Sequence, residues 1–207
     1  MRVRFCDELD WGFGWIAAEP PLIQRCSHAL RVDGKVWIFD AVEGEGVEER
    51  IRALGEPAGV VQLLDRHARD CATLAQKLGV PLHRVPFLVV PDTPFRPLLI
   101  VRNRYWQEIA LWWQARQVLI CADALGTVGY FCAPGERLGV HPLLRLVPPQ
   151  RLGALEPAHV LVGHGEGIHD DAAAALHEAL STSGRRIPRL LVGRAAAGIR
   201  ALRARRR

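Results

Sequence analysis

Seven consecutive residues, Asp65-Arg66-His67-Ala68-Arg69-Asp70-Cys71, bring together two carboxylates, an imidazole, a thiol and two guanidinium groups. Carboxylate, imidazole and thiolate are the donor types that hold zinc. Guanidinium groups do the opposite, because they satisfy carboxylates by paired hydrogen bonds and repel a nearby cation. The stretch therefore supports either a metal or a salt-bridged, metal-free centre. Two more candidates stand far along the chain. Asp123 closes the apolar run Val118–Ala122, and His164 sits between Gly163 and Gly165, where the glycines admit close approach of backbone or ligand.

Asp70 and Cys71 fall where a helix begins. A carboxylate there is stabilised by the helix dipole, and the same field is expected to lower the Cys71 pKa towards thiolate. Each also has an ordinary reading, since acids at helix starts and buried free cysteines are common without any ligand. The remaining histidines (28, 83, 141, 159, 169, 177) show no mutual ligand spacing and read as surface or core fillers. Trp11, Phe13, Trp15, Trp106, Trp112 and Trp113 read as core or groove wall, with the aromatic pair at 105–106 beside Arg104 suited to a planar or anionic ligand. A phosphate-binding P-loop, a dinucleotide fingerprint and a nucleophile elbow are all missing from the sequence.

The elements that must position these groups follow from local pattern. Cys26–Val32 and Lys35–Asp40, joined by Asp33-Gly34, form a hairpin signature. Val47–Leu54 reads as a short helix stopped by Gly55, and Gly59–Leu64 as a buried strand. Asp65 is placed to cap a helix running to Leu78 and ending at Gly79. Apolar strands are expected at Phe87–Val90 and Leu98–Val101, and a second hairpin over Glu108–Asp123. His159–Val162 reads as a strand, 163–165 as a turn and Asp170–Leu180 as a helix, while 131–150 is irregular. Strands and helices alternate with hairpins mixed in, which points to α/β layers with mixed sheets.

Composition narrows the function classes. The 207 residues are 49% hydrophobic and 24% charged, as in a well-cored globular protein. Prolines 86, 91, 94 and 97 interrupt the most apolar region, so no membrane-spanning helix is expected. Five cysteines without a CxxC pair argue against a disulfide framework, and a reducing cytoplasm is the expected compartment. The net charge of +5 is carried by residues 185–207, whose nine arginines and no acids leave the rest of the chain at −4. Leu191, Ala195, Ile199 and Leu202 recur at helical spacing there, so this Arg-rich extension is expected to be helical with a basic face. Such a face either solvates or contacts nucleic acid or an acidic surface.

The order of these parts resembles the metallo-β-lactamase fold superfamily over roughly residues 25 to 180: a strand ending in Asp, a strand–loop–helix at 59–78, a hairpin ending in Asp123 and a late Gly-His-Gly. The resemblance implies a four-layer αββα sandwich with mixed β-sheets, residues 1–184 forming the domain, and two metal ions over the sheet edges. In that family a His-x-His-x-Asp-His motif, a later histidine, a bridging Asp and the His of Gly-His-Gly supply the ligands. Laid on this chain, the first three ligands fall on Arg66, Ala68 and near Arg104, so the first metal set is lost. The second set survives in kind as Asp70, Cys71, Asp123 and His164, with His67 one residue out of register and turned away. The specificity loops would be 10–22, 91–106 and 131–150.

Two readings follow. In the first, the fold has lost its first metal and is non-catalytic or very weakly catalytic, with Arg66 and Arg104 turned into the cleft to bind an anionic small molecule or partner. In the second, the surviving ligands hold one zinc ion in a mononuclear hydrolase that attacks an ester, thioester or amide carbonyl. The cofactor is accordingly none or one zinc ion. Generic β-lactam and nucleic-acid turnover is expected to be absent or very low, because two-metal chemistry needs both cations.

Overall fold

The Asp33-Gly34 turn places both residues at positive φ (50° and 81°), the geometry that lets a two-residue turn match the twist of its strands. It joins β3 (Cys26–Val32) to β4 (Lys35–Phe39). A computed structural model describes residues 1–18, 23–87 and 89–193 of the chain. Ahead of that hairpin stands another, β1 (Val3–Leu9) and β2 (Gly12–Ala17). The region expected as a cleft loop from residue 10 is thus largely strand up to residue 17. Trp11, Phe13 and Trp15 are buried in it, and burying such large apolar side chains favours the sheet over a solvated loop.

The four strands run antiparallel and continue in parallel through β5 (Glu56–Gln62) and β6 (Leu82–Arg84). Helix α1 (Val47–Leu54) makes the first parallel crossover and α2 (Cys71–Leu78) the second. The helix expected from Asp65 begins only at Cys71. Residues 65–70 are instead folded into turns, with the His67 amide donating to Leu64 O and the Cys71 amide to Ala68 O, both at 2.9 Å. Residues 87, 89 and 90 form no strand; the third parallel strand is Leu82–Arg84.

The second sheet has the order β12-β9-β8-β7. β7 (Phe95–Asn103), β8 (Trp106–Trp113) and β9 (Val118–Cys121) are antiparallel, and β12 (His159–Val162) lies parallel to β9. A small ladder, β10 (Leu125–Gly126) with β11 (Gly139–Val140), follows, and α3 spans Ala172–Thr182.

Three apolar layers hold the fold. Leu30, Trp37, Phe39 and Val61 meet Leu111, Trp113 and Ile120 between the two sheets. Val36, Ile38 and Val60 on the other face of the first sheet meet Ile51 and Leu74 of α1 and α2. Leu119, Val160 and Val162 on the other face of the second sheet meet Leu176 and Leu180 of α3. Alternating side chains on each strand feed adjacent layers, which gives the αββα sandwich.

The irregular stretch 131–150 is anchored by Arg145, which is fully buried. Its guanidinium donates to both Glu136 oxygens (3.2 and 2.5 Å) and to Ser183 O at 3.1 Å. Paired in this way, the buried charge is not left uncompensated. Past α3 the chain turns into a helical stretch at 187–193 in which Leu190 is buried, whereas Leu191 and Val192 are exposed. Packing therefore continues past residue 184, and the apolar contact is made by Leu190 rather than Leu191. Residues 195, 199 and 202 of the expected amphipathic face lie outside the described residues. Among the described residues, no helix is long and apolar enough to cross a membrane.

Candidate metal centre

Four strand ends converge on one edge of the sandwich. Asp40 follows β4, the turn 65–70 follows β5, Asp123 follows β9 and His164 follows β12. Carboxyl ends of strands collect ligands in open α/β sheets because the chain leaves the layer there and can shape a crevice.

Asp40 takes positive φ (46°), which turns its carboxylate back over the sheet. Its Oδ1 accepts from the Leu63 amide at 2.8 Å, and its Oδ2 lies 2.9 Å from His67 Nδ1. His67 is buried, and its other nitrogen, Nε2, is 2.9 Å from Asp123 Oδ1. His164 Nε2 approaches the same oxygen to 3.1 Å, while its Nδ1 is 2.8 Å from Ile23 O. The two Nε2 atoms are 3.4 Å apart. His67, Asp123 and His164 thus offer one ligand atom each within 4.8 Å of one another, a group that could hold a metal ion.

The tautomers follow from the outer contacts. Ile23 O and the Asp40 carboxylate can only accept, so both Nδ1 atoms carry hydrogen. In a neutral imidazole that leaves each Nε2 with a lone pair aimed at Asp123 Oδ1. That oxygen is buried and has no hydrogen-bond donor aligned on it. Three acceptors facing one another need a cation or a proton between them, and Arg69 donates to only one of them, His67 Nε2. Burial and the Arg69 guanidinium pull the His67 pKa down, but Asp40 and Asp123 outweigh them and the imidazole is raised. Burial alone would raise Asp123, yet the contacts with His164 and His67 hold its carboxyl far below the ordinary range.

Arg69 brings a half-buried guanidinium to this edge. It takes φ of 38°. Its Nη1 donates to Cys26 O (2.6 Å) and Asp40 O (2.9 Å), and its Nη2 to Gly163 O at 2.9 Å. Nη2 also lies 3.2 Å from His67 Nε2. Arg66 sits at the mouth, with Nη2 3.7 Å from Asp123 Oδ2 and its guanidinium 4.5 Å over the Trp106 ring. The wall is completed by Phe131, stacked on His164 with centroids 5.5 Å apart. A groove of about 470 Å³ opens beside it, lined by Gln24, Thr127, Val128, Gly165 and Glu166 among others.

Of the ligands expected from sequence, the structure brings Asp123 and His164 together. Asp70 and Cys71 stand outside the group. Asp70 Oδ2 accepts from the Glu43 amide at 2.9 Å, and Cys71 Sγ points at His67 O (3.5 Å) and Ala41 O (3.9 Å). The expected thiolate does not form at Cys71, because burial pushes its thiol up to about 12 and outweighs the helix field. His67, expected to turn away, points inwards because residues 65–70 form turns rather than helix. Arg104 lies exposed at the tip of the β7–β8 hairpin, its guanidinium over the Tyr105 ring at 4.3 Å. The sequence names Arg69 only as one of two guanidinium groups in its stretch, and gives Asp40 no role beyond ending a strand. That strand-ending position was Asp40's available signal; Arg69 offered none, since arginine is abundant throughout the chain.

No protein-family model matches the sequence, and no curated protein does. Solved structures do match. A metallo-β-lactamase from Pontibacter korlensis superposes with a TM-score of 0.61 at 8% identity, covering 87% of this chain and 99% of that one. The DIM-1 metallo-β-lactamase gives 0.58 at 11% identity, covering 88% and 99%. A fragment of a chain described as a diflavin flavoprotein from Nostoc sp. PCC 7120 gives 0.62 at 11% identity, covering 89% and 98%. With the layer order already described, this chain has the metallo-β-lactamase fold.

Proposed function

We propose that this protein is a single-metal, hydrolase-like member of the fold, with His67 Nε2, Asp123 Oδ1 and His164 Nε2 as the ligands. The observation that carries this reading is the tautomer pattern. Both Nδ1 atoms are committed to acceptors, and the two lone pairs meet a buried carboxylate oxygen with no aligned donor. Anchoring of the distal imidazole nitrogen by a carboxylate or carbonyl is the arrangement that orients metal-binding histidines. A divalent cation bound there would act as a Lewis acid and lower the pKa of a water for attack on an ester, thioester or amide carbonyl. Three protein ligands leave a coordination position open, as hydrolytic sites require. Arg66 at the mouth would hold an anionic group of the substrate, and Phe131 would exclude water from one side of His164. With Arg69 against His67 and Arg66 beside Asp123, a second cation would meet two guanidinium groups, so β-lactam and nucleic-acid turnover is expected to be absent or very low.

Arg69 favours a second reading. A guanidinium tethered by three backbone carbonyls already lies against His67 and competes with any cation. In that case the centre is metal-free, non-catalytic and binds a small anion beside Arg66. Metal content separates the two readings. Purified without added zinc, the chain should carry one divalent ion more than its Asp123→Ala and His164→Ala variants. A wild-type chain with no ion at His67, Asp123 and His164, even after zinc is supplied, would establish the Arg69-compensated centre instead.

A further inference from the structure

A second knot of ligand-type side chains lies on the first sheet, separate from His67, Asp123 and His164. Cys6 and Asp7 are on β1, Cys26 and His28 on β3, and Gly14 of β2 lies between them in register with Cys6 on one side and His28 on the other. The β1–β2 register slips between Cys6 and Leu9, and Asp7 takes φ of 50°. Such a bulge re-aims a side chain, so consecutive residues Cys6 and Asp7 are both buried instead of alternating between faces.

Four separations among these atoms approach those of a coordination shell. Cys6 Sγ is 3.9 Å from Cys26 Sγ and 3.6 Å from Asp7 Oδ2. His28 Nε2 is 3.7 Å from Cys26 Sγ and 3.0 Å from Asp7 Oδ2. A tetrahedral ion with Zn–S of about 2.3 Å sets neighbouring sulfurs about 3.8 Å apart and sulfur–nitrogen or sulfur–oxygen pairs about 3.5 Å apart. Cys6, Asp7 and Cys26 form a group that could hold a metal, with ligand atoms within 4.8 Å of one another. Asp7 Oδ1 is held by the Gly167 amide and His169 Nε2, both at 2.9 Å, which orients the carboxylate and leaves Oδ2 facing the sulfurs. Gly14 keeps the space open. A Cβ there would stand 2.8 Å from Asp7 Oδ2, 3.0 Å from His28 Cδ2 and 3.1 Å from Cys6 Sγ.

We propose that Cys6, Asp7, Cys26 and His28 form a second metal site, closed and structural, for a zinc-class divalent cation. Two thiolates with an imidazole and a carboxylate select a borderline-soft ion over calcium or magnesium. Four protein ligands and near-complete burial leave no open position for a substrate. A disulfide is the competing use of two close sulfurs. Strands that flank a third stand about 9–10 Å apart, whereas a disulfide spans at most about 7 Å between α-carbons. A bridging ion covers the longer gap, and it would tie β1 to β3, whose Cys26 O is an acceptor of Arg69.

Cobalt(II) titration of the full-length chain tests this. The probe is the Asp123→Ala/His164→Ala variant, which removes the strand-end ligands and leaves the four sheet residues untouched. One equivalent of cobalt with a thiolate-to-metal charge-transfer band is expected, and the band should vanish on further Cys6→Ser/Cys26→Ser substitution. If that variant does not fold, zinc X-ray absorption on the Asp123→Ala/His164→Ala chain replaces it, with two sulfur ligands expected. Cobalt binding without the thiolate band, a band that survives loss of both cysteines, a sulfur-free zinc shell, or a Cys6–Cys26 disulfide in the isolated protein would each overturn the site.

Discussion

Glu108 is wholly buried, with Oε1 accepting from the Ala124 amide at 2.7 Å and Oε2 from Trp106 Nε1 at 2.9 Å. Burial, reinforced by the charge of Asp123, pushes its carboxyl up to about 7. The folded pKa is above the ordinary 4.5, so its contribution to stability is complete below about 4.5 and is lost as pH rises through 7. Chemical denaturation of the wild type from pH 5 to pH 8 should show a fall of up to about 3 kcal/mol from this group. In Glu108→Gln that part of the slope should disappear; an unchanged slope would remove Glu108 as its source. His67 and Arg69 make the companion point at this scale. Each is a polar side chain whose role is set by what it faces, and neither could be assigned until Asp40, Asp123 and the Gly163 carbonyl were placed around it.

At the level of elements, the centre depends on how closely the turn after β12 passes the turn after β5. Gly163 makes that approach. A Cβ there would lie 2.8 Å from Ala122 O and 3.0 Å from His67 Cε1. Backbone on one side and a buried ring on the other leave no cheap adjustment. Gly163→Ala is therefore expected to cost about 1–3 kcal/mol and to displace His67 from Asp123. Thermal unfolding and metal content measure the two effects, and a variant with wild-type stability and wild-type metal content would show that the turn yields. The hairpin β3–β4, helix α1 and the Glu108–Asp123 hairpin were legible because Asp-Gly turns, glycine stops and β-branched runs act locally. The stretch after Asp65 was not. Its residues suit a helix start, but burying His67 and holding Arg69 on the carbonyls of other strand ends kept it as turns up to Cys71.

For the whole molecule, the question is where the domain stops. The composition shift at 185 suggests a detachable basic tail, whereas Leu190 is buried and Arg186 pairs with Glu178 and, at 3.9 Å, with Glu136. Truncation after residue 184 should thus lower stability, and Leu190→Ala alone should cost about 2–4 kcal/mol by leaving a cavity. Differential scanning calorimetry of the two chains checks it. If both melt like the full-length protein, residues 187–193 contribute no packing energy and the composition boundary is the physical one.

The sequence by itself determined the layers. Apolar runs at strand and helix period, broken by turn residues, leave few ways to bury every face, and the sandwich is the one that matches their order. It also marked Asp123 and His164, because a carboxylate closing a buried strand and a histidine between glycines are unusual wherever they occur. Only the tertiary structure decided which partners complete the centre. Asp40, His67, Asp123 and His164 are separated by tens of residues and meet through strand ends, so no local spacing encodes their contact. For the same reason His28 reads as a surface or core filler, and Cys6, Asp7 and Cys26 carry no local signal. A β-bulge and a glycine on the intervening strand bring them together, and both act through sheet register, which a linear pattern does not specify.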